Sequence, residues 1–252
     1  MTQTVNHRCI LIAGKSASGK TASLRNLKKP EGVLYLNCEA GKELPFAAND
    51  KGEPANFVKV NVTHPKQVNK YLKEIEKEPE CHTVIIDTMT YLMDMFESKV
   101  VLEAANTMKA WGEYAQYFKR LMQEDVAVST KNVIFLAHTR DILNEAEMVM
   151  ETLVKVKGSL MDQGIESYFN NVVASKKVPL SKLEGCNSPF LTITPEEEAL
   201  GFKYVFQTRL TKETVNDRIR GPIGLWTPEE TYIDNDVQLL MNKLHAYYTI
   251  VK

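Results

Sequence analysis

The amino-acid sequence predicts an α/β fold, with a mostly parallel, twisted sheet flanked by helices. Short apolar runs recur along the chain at residues 9–13, 33–37, 83–87 and 132–137. Stretches with helical spacing of apolar residues separate several of these runs, as in βαβ units. The chain has 252 residues, which is enough to bury one large core.

The first apolar run leads directly into a glycine-rich motif. Residues 14–21, Gly-Lys-Ser-Ala-Ser-Gly-Lys-Thr, match G-x-x-x-x-G-K-[S/T] at every fixed position. Ala22, Leu24 and Leu27 follow at helical spacing, so the motif has the strand, loop and helix that a phosphate-binding loop requires. Glycines let backbone N–H groups face an anion, and the positive end of the following helix adds to the attraction. The alternative, a chance Gly/Ser-rich turn, does not explain the flanking strand and helix.

The motif predicts which of its residues bind ATP and Mg²⁺. Lys20 is expected to reach the β- and γ-phosphates, and the Thr21 hydroxyl to ligate Mg²⁺. Lys15 is either a further phosphate contact or, as we favour, a solvated lysine. The predicted nucleotide-binding residues are Gly14, Ser16, Ala17, Ser18, Gly19, Lys20, Thr21 and Ala22.

A carboxylate follows the second predicted strand. Pro30 is expected to end the first helix, and residues 33–37 are predicted to form the strand. Glu39 then lies at its carboxyl end, the edge of an α/β sheet where ligands bind, so we expect it to face the same crevice as the loop. Residues 42–56 are predicted to be an exposed loop, and residues 57–62 a third strand.

A second carboxylate ends the strand predicted at residues 83–87, after a charged helix at residues 65–77. An apolar strand ending in Asp is common, but downstream of a complete phosphate loop it predicts that Asp87 holds Mg²⁺. The next residue is Thr88, so no carboxylate follows Asp87 to activate water. Glu39 is therefore the best candidate for that role.

Residues 89–127 predict two helices, separated near residues 103–106. They carry an apolar stripe. A stripe at this spacing could stack nucleic acid bases, but it more often packs in a core, and we interpret it as core. Its members are Trp111, Tyr114, Tyr117, Phe118 and Leu121.

The strand predicted at residues 132–137 delivers His138 to the same sheet edge. A polar residue there can sense the γ-phosphate and pass the signal to the next loop. His138 could also be a structural histidine, and we favour the sensor because of its position. Arg140 is a candidate for phosphate or DNA contact.

The later chain predicts an extended stretch at residues 147–156, a short helix at 158–169 and strands at 171–178 and 202–211. Residues 179–201 are predicted to be a hairpin or an exposed insertion.

A basic turn at residues 212–222 contains Arg218 and Arg220, which suit contact with an anion such as a neighbouring subunit's nucleotide. A solvated surface turn explains them equally well. We predict a core over residues 1–222 and a C-terminal helical extension over 223–252, with a helix at 235–248.

Composition limits the possible partners. The formal net charge is -1, so no global positive field attracts nucleic acid, and any DNA contact requires a local patch. Four cysteines without C-x-x-C spacing favour a reducing compartment. No stretch approaches the ~20 apolar residues of a membrane span, and residues 1–8 lack a secretory apolar region, so we expect a cytoplasmic protein without membrane contact.

The phosphate loop at residues 14–21, followed by strands ending at Glu39, Asp87 and His138, resembles the RecA-like P-loop ATPases. The resemblance is to small phage-encoded RecA-core proteins of single-strand annealing and recombination in particular, and it spans most of residues 8–222. It implies a RecA-like P-loop NTPase core. It also implies that Glu39 activates the attacking water and that His138 couples the γ-phosphate to a DNA-binding segment.

The same resemblance implies partners. These are single-stranded DNA, further copies of the chain in a ring or filament, and a single-strand-binding protein as a further candidate; a phage-encoded protein would lie in the host cytoplasm. Two features depart from the family: His138 stands where the recombinase has Gln, and the stretch before Lys157 is not Gly-rich. Candidates for contacting DNA or a neighbour's nucleotide are Arg140, Lys155, Lys157, Lys176, Lys177, Lys212, Arg218 and Arg220.

The leading hypothesis is therefore a Mg²⁺-dependent ATPase acting on single-stranded DNA in phage-type recombination, repair or annealing, stimulated by DNA and by oligomerisation. One alternative is a nucleotide-dependent switch or assembly protein with little turnover. A small-molecule kinase is the less favoured alternative, because the arginines that could form a lid, Arg218 and Arg220, lie very late in the chain.

Overall fold

The structure is a computed structural model that describes residues 6–250, and within them it contains one nine-stranded sheet. The strands are β1 Cys9–Gly14, β2 Val33–Asn37, β3 Val58–Asn61, β4 Thr83–Asp87, β5 Asn132–Asn144, β6 Val149–Val154, β7 Asn171–Pro179, β8 Phe202–Gln207 and β9 Tyr232–Asp234. The α-helices are α1 Lys66–Glu74, α2 Met89–Phe96, α3 Thr107–Arg120, α4 Ser159–Gln163, α5 Pro195–Leu200 and α6 Val237–Ile250.

The strand order is β3-β2-β4-β5-β1-β7-β8-β9, and β6 pairs with β5 alone. The strands from β3 to β7 in this order pair in parallel, whereas β6, β8 and β9 pair antiparallel to their neighbours. Gly14 pairs with His138, Asn37 with Asp87, and Asp87 with Leu136, so the carboxyl ends of β1, β2 and β4 lie beside His138 of β5. The predicted α/β fold with a mostly parallel sheet is confirmed.

Both faces of the sheet are covered, because successive side chains of a strand point to opposite faces. Leu11 of β1 packs with Phe118 of α3, whereas its neighbours Ile10 and Ile12 pack with Leu240 of α6. The predicted apolar stripe is core: Tyr114, Tyr117, Phe118 and Leu121 are buried, and Trp111 packs against them.

The prediction of a helix after the phosphate loop is wrong. A single 3-10 turn, Ala22–Leu24, stands there instead. Leu24 and Leu27 are buried as their spacing suggested, but Lys29 adopts a left-handed conformation with φ 51°. Pro30 begins a second 3-10 turn, so it does not end a helix. The loop therefore gains little from a helix dipole, which needs several aligned turns.

The strand after residue 132 is longer than predicted. β5 continues past Ala137, and residues 139–144 form a hairpin with β6. His138 consequently lies inside a strand, where its backbone still pairs with Gly14. The extension forms because cross-strand pairs such as Leu143 and Met150 continue the ladder, which the polar His-Thr-Arg sequence did not indicate.

The predicted hairpin or insertion at residues 179–201 is the long connection between β7 and β8, which pair antiparallel. It contains α5, which begins at a capping box formed by Thr194 and Glu197. β8 ends at Gln207, earlier than the predicted residue 211.

The C-terminal extension predicted to be helical contains a strand, β9, as well as the helix α6. β9 joins the edge of the sheet, and α6 packs on the core through Val237, Leu240 and Leu244. No helix within residues 6–250 has both the length and the apolar character that crossing a membrane requires.

Candidate nucleotide-binding site

The meeting of strand ends creates a cavity of about 670 Å³ beside the phosphate loop. Residues 16–22 line one side of it, together with Glu39, Asp87 and His138. The four predicted catalytic side chains, Lys20 included, are thus brought together. A second wall comes from late in the chain and contains Thr192, Thr194, Lys203, Tyr204 and Asn235.

The fixed glycines of the motif each have a steric reason. A Cβ on Gly14 would lie 2.5 Å from the carbonyl oxygen of Ser175 and equally close to Oγ of Ser18. Gly19 has φ +92°, a conformation that side chains disfavour. The loop is therefore held in a shape that only glycine permits at both positions.

Lys20 is buried behind the loop, and the residue is 5% exposed. Its Nζ donates hydrogen bonds to the carbonyl oxygens of Gly14 at 2.9 Å and Lys15 at 2.8 Å, and lies 3.4 Å from Nδ1 of His138. Burial lowers the pKa of Lys20 to about 8, although the nearby Asp87 carboxylate favours the charged form. The Lys20 ammonium group therefore lies beside the loop with little contact to solvent.

This lowered pKa predicts pH-dependent nucleotide binding. Protonated Lys20 attracts phosphate, and the free protein loses this proton as the pH rises through about 8. Affinity for ADP is expected to fall about tenfold between about pH 7 and about pH 9. Binding of a fluorescent nucleotide analogue across this range measures the effect, and the melting temperature of the nucleotide-free protein controls for unfolding. An unchanged affinity would contradict the position given to Lys20.

Thr21 and Asp87 have the donor set of a magnesium site. The Thr21 hydroxyl donates to Oδ2 of Asp87 at 2.8 Å, and the buried Tyr35 hydroxyl donates to the same oxygen at 2.7 Å. Burial raises the pKa of Asp87, while these two hydrogen bonds oppose the rise. Its other oxygen, Oδ1, is buried and has no hydrogen-bond partner within residues 6–250.

A buried carboxylate oxygen without a partner is costly, and a hard cation would satisfy it. The residues therefore fit Mg²⁺, which typically takes one or two protein oxygens and completes its shell with water and phosphate. The described part of the chain holds no cluster of three or more His, Cys, Asp or Glu side chains that could hold a metal ion.

Glu39 and His138 contact each other across the cavity. Oε1 of Glu39 lies 3.3 Å from Nε2 of His138, and its Oε2 lies 3.3 Å from Nζ of Lys42. The hydrogen bond with His138 is the main cause that lowers the pKa of Glu39, so this carboxylate is ionised at neutral pH. It can therefore accept a hydrogen bond from water.

His138 lies between two of the other candidates. One ring nitrogen approaches Lys20 and the other approaches Glu39. Its backbone N–H donates to Thr90 at 2.9 Å, and its ring meets Tyr91 edge-on with centroids 5.7 Å apart. These contacts hold the ring as a structural histidine would be held, and they also connect it to the phosphate loop; its role as a sensor stays a prediction.

Most of the basic residues predicted to act on DNA or on a neighbour already have partners within the chain. Lys157 pairs with Glu97, Lys176 with Asp217, and Arg218 with Glu151, while Lys177 lies over the Phe202 ring and Arg140 contacts Met161. Lys155, Lys212 and Arg220 are exposed and make no ion pair with any described residue. They are the candidates that combine exposure with the lack of an ion pair or ring contact among the described residues.

The β5–β6 hairpin differs from the DNA-binding segment that the resemblance implied. Its exposed apolar side chains include Leu143, Met148 and Met150. Its acidic residues are Asp141, Glu145, Glu147 and Glu151. Carboxylates repel a phosphate backbone, so the charge of the hairpin tip does not favour nucleic acid.

Several lining residues were not predicted from the sequence. Tyr35 had a detectable signal, because a tyrosine inside a buried strand requires a hydrogen-bond partner, here Asp87. Tyr204 and Asn235 had no detectable signal in the sequence, because only the pairing of strands in the sheet brings them close to the loop.

A parallel sheet with a glycine-rich phosphate loop after β1, a buried loop lysine and a Thr21–Asp87 pair defines a P-loop NTPase. Residues 6–173, more than half of the chain, match the AAA domain family AAA_24. The chain therefore belongs to this family and carries an AAA-type ATPase domain. No curated protein matches the chain. The second cavity wall, from Thr192 to Asn235, lies outside the matched residues.

Proposed function

We propose that this protein is a Mg²⁺-dependent ATPase that acts on single-stranded DNA in recombination, repair or annealing of the phage type. The observation that carries the hydrolytic part is the continuous set of contacts from Lys20 through His138 to Glu39, beside the Thr21–Asp87 pair. A site for nucleotide binding alone would not need an ionised carboxylate on the far side of the loop lysine.

The proposed reaction is attack of water on the γ-phosphorus, which forms a new P–O bond and breaks the bond to the ADP oxygen. Lys20 and the backbone N–H groups of residues 16–21 hold the phosphates. Glu39 orients the water and accepts its proton. Thr21 and Asp87 would hold Mg²⁺, which when bound would neutralise charge on the phosphates. His138, in contact with both Lys20 and Glu39, would respond to the γ-phosphate.

DNA and self-association form the second part of the proposal. It is supported by the resemblance to RecA-core proteins and by exposed basic residues outside the acidic tip of the β5–β6 hairpin. Lys155, Lys212 and Arg220 are the favoured basic contacts, because they are exposed and unpaired among the described residues. A single-strand-binding protein remains a candidate partner.

The rate per subunit is expected to rise with protein concentration, and to rise further when single-stranded DNA is added. A basic residue supplied by a neighbour can accelerate hydrolysis by roughly 10³- to 10⁵-fold, so dilute protein should turn over slowly. Phosphate release measured over a range of concentrations, with and without DNA, tests both parts.

A rate that ignores both variables would contradict the DNA and self-association parts while leaving hydrolysis itself intact. Phosphate release without any acceptor molecule would argue against the kinase alternative. Nucleotide binding with negligible release under all conditions would favour the switch alternative.

A further inference from the structure

The phosphate loop lacks the long helix that usually fixes such a loop. Backbone hydrogen bonds from one 3-10 turn, Ala22–Leu24, support it, including the bond from the Ser23 N–H to the Gly19 carbonyl at 3.0 Å. In a helix several turns long, the ladder and dipole would orient the donors of the loop. A different part of the chain must supply the missing rigidity.

The C-terminal segment after β9 provides these contacts. Nδ2 of Asn235 donates to the Gly19 carbonyl oxygen at 2.9 Å, and the carbonyl of Asn235 accepts from Arg25 at 3.4 Å. Asn26 donates to Asp236 at 2.9 Å. The segment thus contacts the loop and the turn that follows it on one continuous side.

Gly19 is shaped to admit this contact. A Cβ at Gly19 would lie 2.4 Å from Nδ2 of Asn235 and 3.2 Å from the Tyr204 ring. Asn235 itself is 7% exposed. The second glycine of the motif therefore serves the close approach of the C-terminal wall as well as its own φ of +92°.

The geometry points to Asn235 as the positioning residue of the phosphate loop. The Gly19 carbonyl and the Lys20 N–H belong to one planar trans peptide, so they point in opposite directions. The Ser23 N–H and Nδ2 of Asn235 both bond to this carbonyl, and together they fix the direction of the Lys20 N–H, one of the donors that the motif presents to phosphate. Asn235 acts on the phosphate loop through the backbone, and this role rests on the proposed function as a nucleotide-binding protein. Asn235 lies outside the residues that match the AAA family.

The test compares Asn235→Ala and Asn235→Asp in the full chain, with ADP as the probe. Losing the hydrogen bond should weaken ADP binding about five- to tenfold. Aspartate has almost the same shape but replaces the donor with a negative charge facing a carbonyl beside bound phosphate, so its loss should exceed that of alanine. The weaker binding of Asn235→Ala should appear as a higher KM for ATP. Its turnover at saturating ATP should stay within about twofold of wild type.

A packing role predicts the reverse order, because aspartate fills the space that alanine leaves empty. Binding by Asn235→Asp as tight as by wild type, or tighter than by Asn235→Ala, would overturn the inference. Asn242→Asp, on the exposed side of α6, is the matched control and should bind like wild type. If the Asn235 variants do not fold, Asn26→Ala removes the bonds of that side chain to Asp236 and to Asp50, whereas Asp50→Ala leaves the bond to Asp236 in place. Asn26→Ala should weaken ADP binding about two- to threefold more than Asp50→Ala does. Equal affinities of these two variants would also overturn the inference, whereas wild-type protein that fails to bind ADP would contradict the proposed function instead.

Discussion

Glu39→Gln is expected to lower the rate of ATP hydrolysis by about 10²- to 10⁴-fold while nucleotide affinity stays within about threefold. Glutamine keeps the size of the side chain but cannot accept a proton. The wild-type carboxylate contacts His138 and Lys42 rather than the phosphate loop, so its loss should leave phosphate binding nearly intact. Single-turnover phosphate release and binding of a fluorescent nucleotide analogue separate the two effects.

The matched control is Glu31→Gln. Glu31 is exposed and lies just before the opposite end of β2, so it has the same chemistry without access to the cavity. Its variant should hydrolyse ATP at the wild-type rate. If Glu39→Gln also keeps that rate, Glu39 is not the base and the switch alternative gains. If its turnover collapses while binding survives, the ATPase proposal holds.

The parts of the site that the sequence predicted share one physical origin. Each of Glu39, Asp87 and His138 follows a run of apolar residues that is buried on both faces of the sheet. Parallel strands place their carboxyl ends at one edge, so a local pattern was enough to predict a long-range meeting. The phosphate loop was equally local, because its glycines are needed by the backbone around them.

The remaining parts depend on contacts that no local pattern encodes. The turn after the loop is short although Ala22, Leu24 and Leu27 have helical spacing, because packing decides how long a marginal helix is. The β5–β6 hairpin and the wall containing Asn235 arise from pairings of strands and from a contact between residues far apart in the chain. Sequence spacing predicts which residues are buried more reliably than which element buries them.

Lys20→Ala is expected to weaken ATP and ADP binding by about 10²-fold and to reduce hydrolysis below detection. The substitution removes the charged donor that reaches the phosphates, and charge-assisted hydrogen bonds to a buried site are among the strongest single contributions to binding. The carbonyls of Gly14 and Lys15 also lose their donor, which loosens the loop. Isothermal titration with ADP and Mg²⁺ measures the affinity directly.

Lys15→Ala separates this effect from a general loss of positive charge. Lys15 belongs to the same loop, but its side chain is 66% exposed and its Nζ pairs with Asp141 at 2.6 Å, away from the cavity that Lys20 borders. We therefore expect ADP affinity within about threefold of wild type, since exposed ion pairs contribute little. Equal losses of ADP affinity in Lys15→Ala and Lys20→Ala would mean that the overall positive charge of the loop binds the phosphates. The buried Lys20 ammonium would then have no special role. A loss confined to Lys20→Ala would identify that ammonium as the main phosphate contact, and the same variant should then no longer show the tenfold pH dependence expected of the wild-type protein.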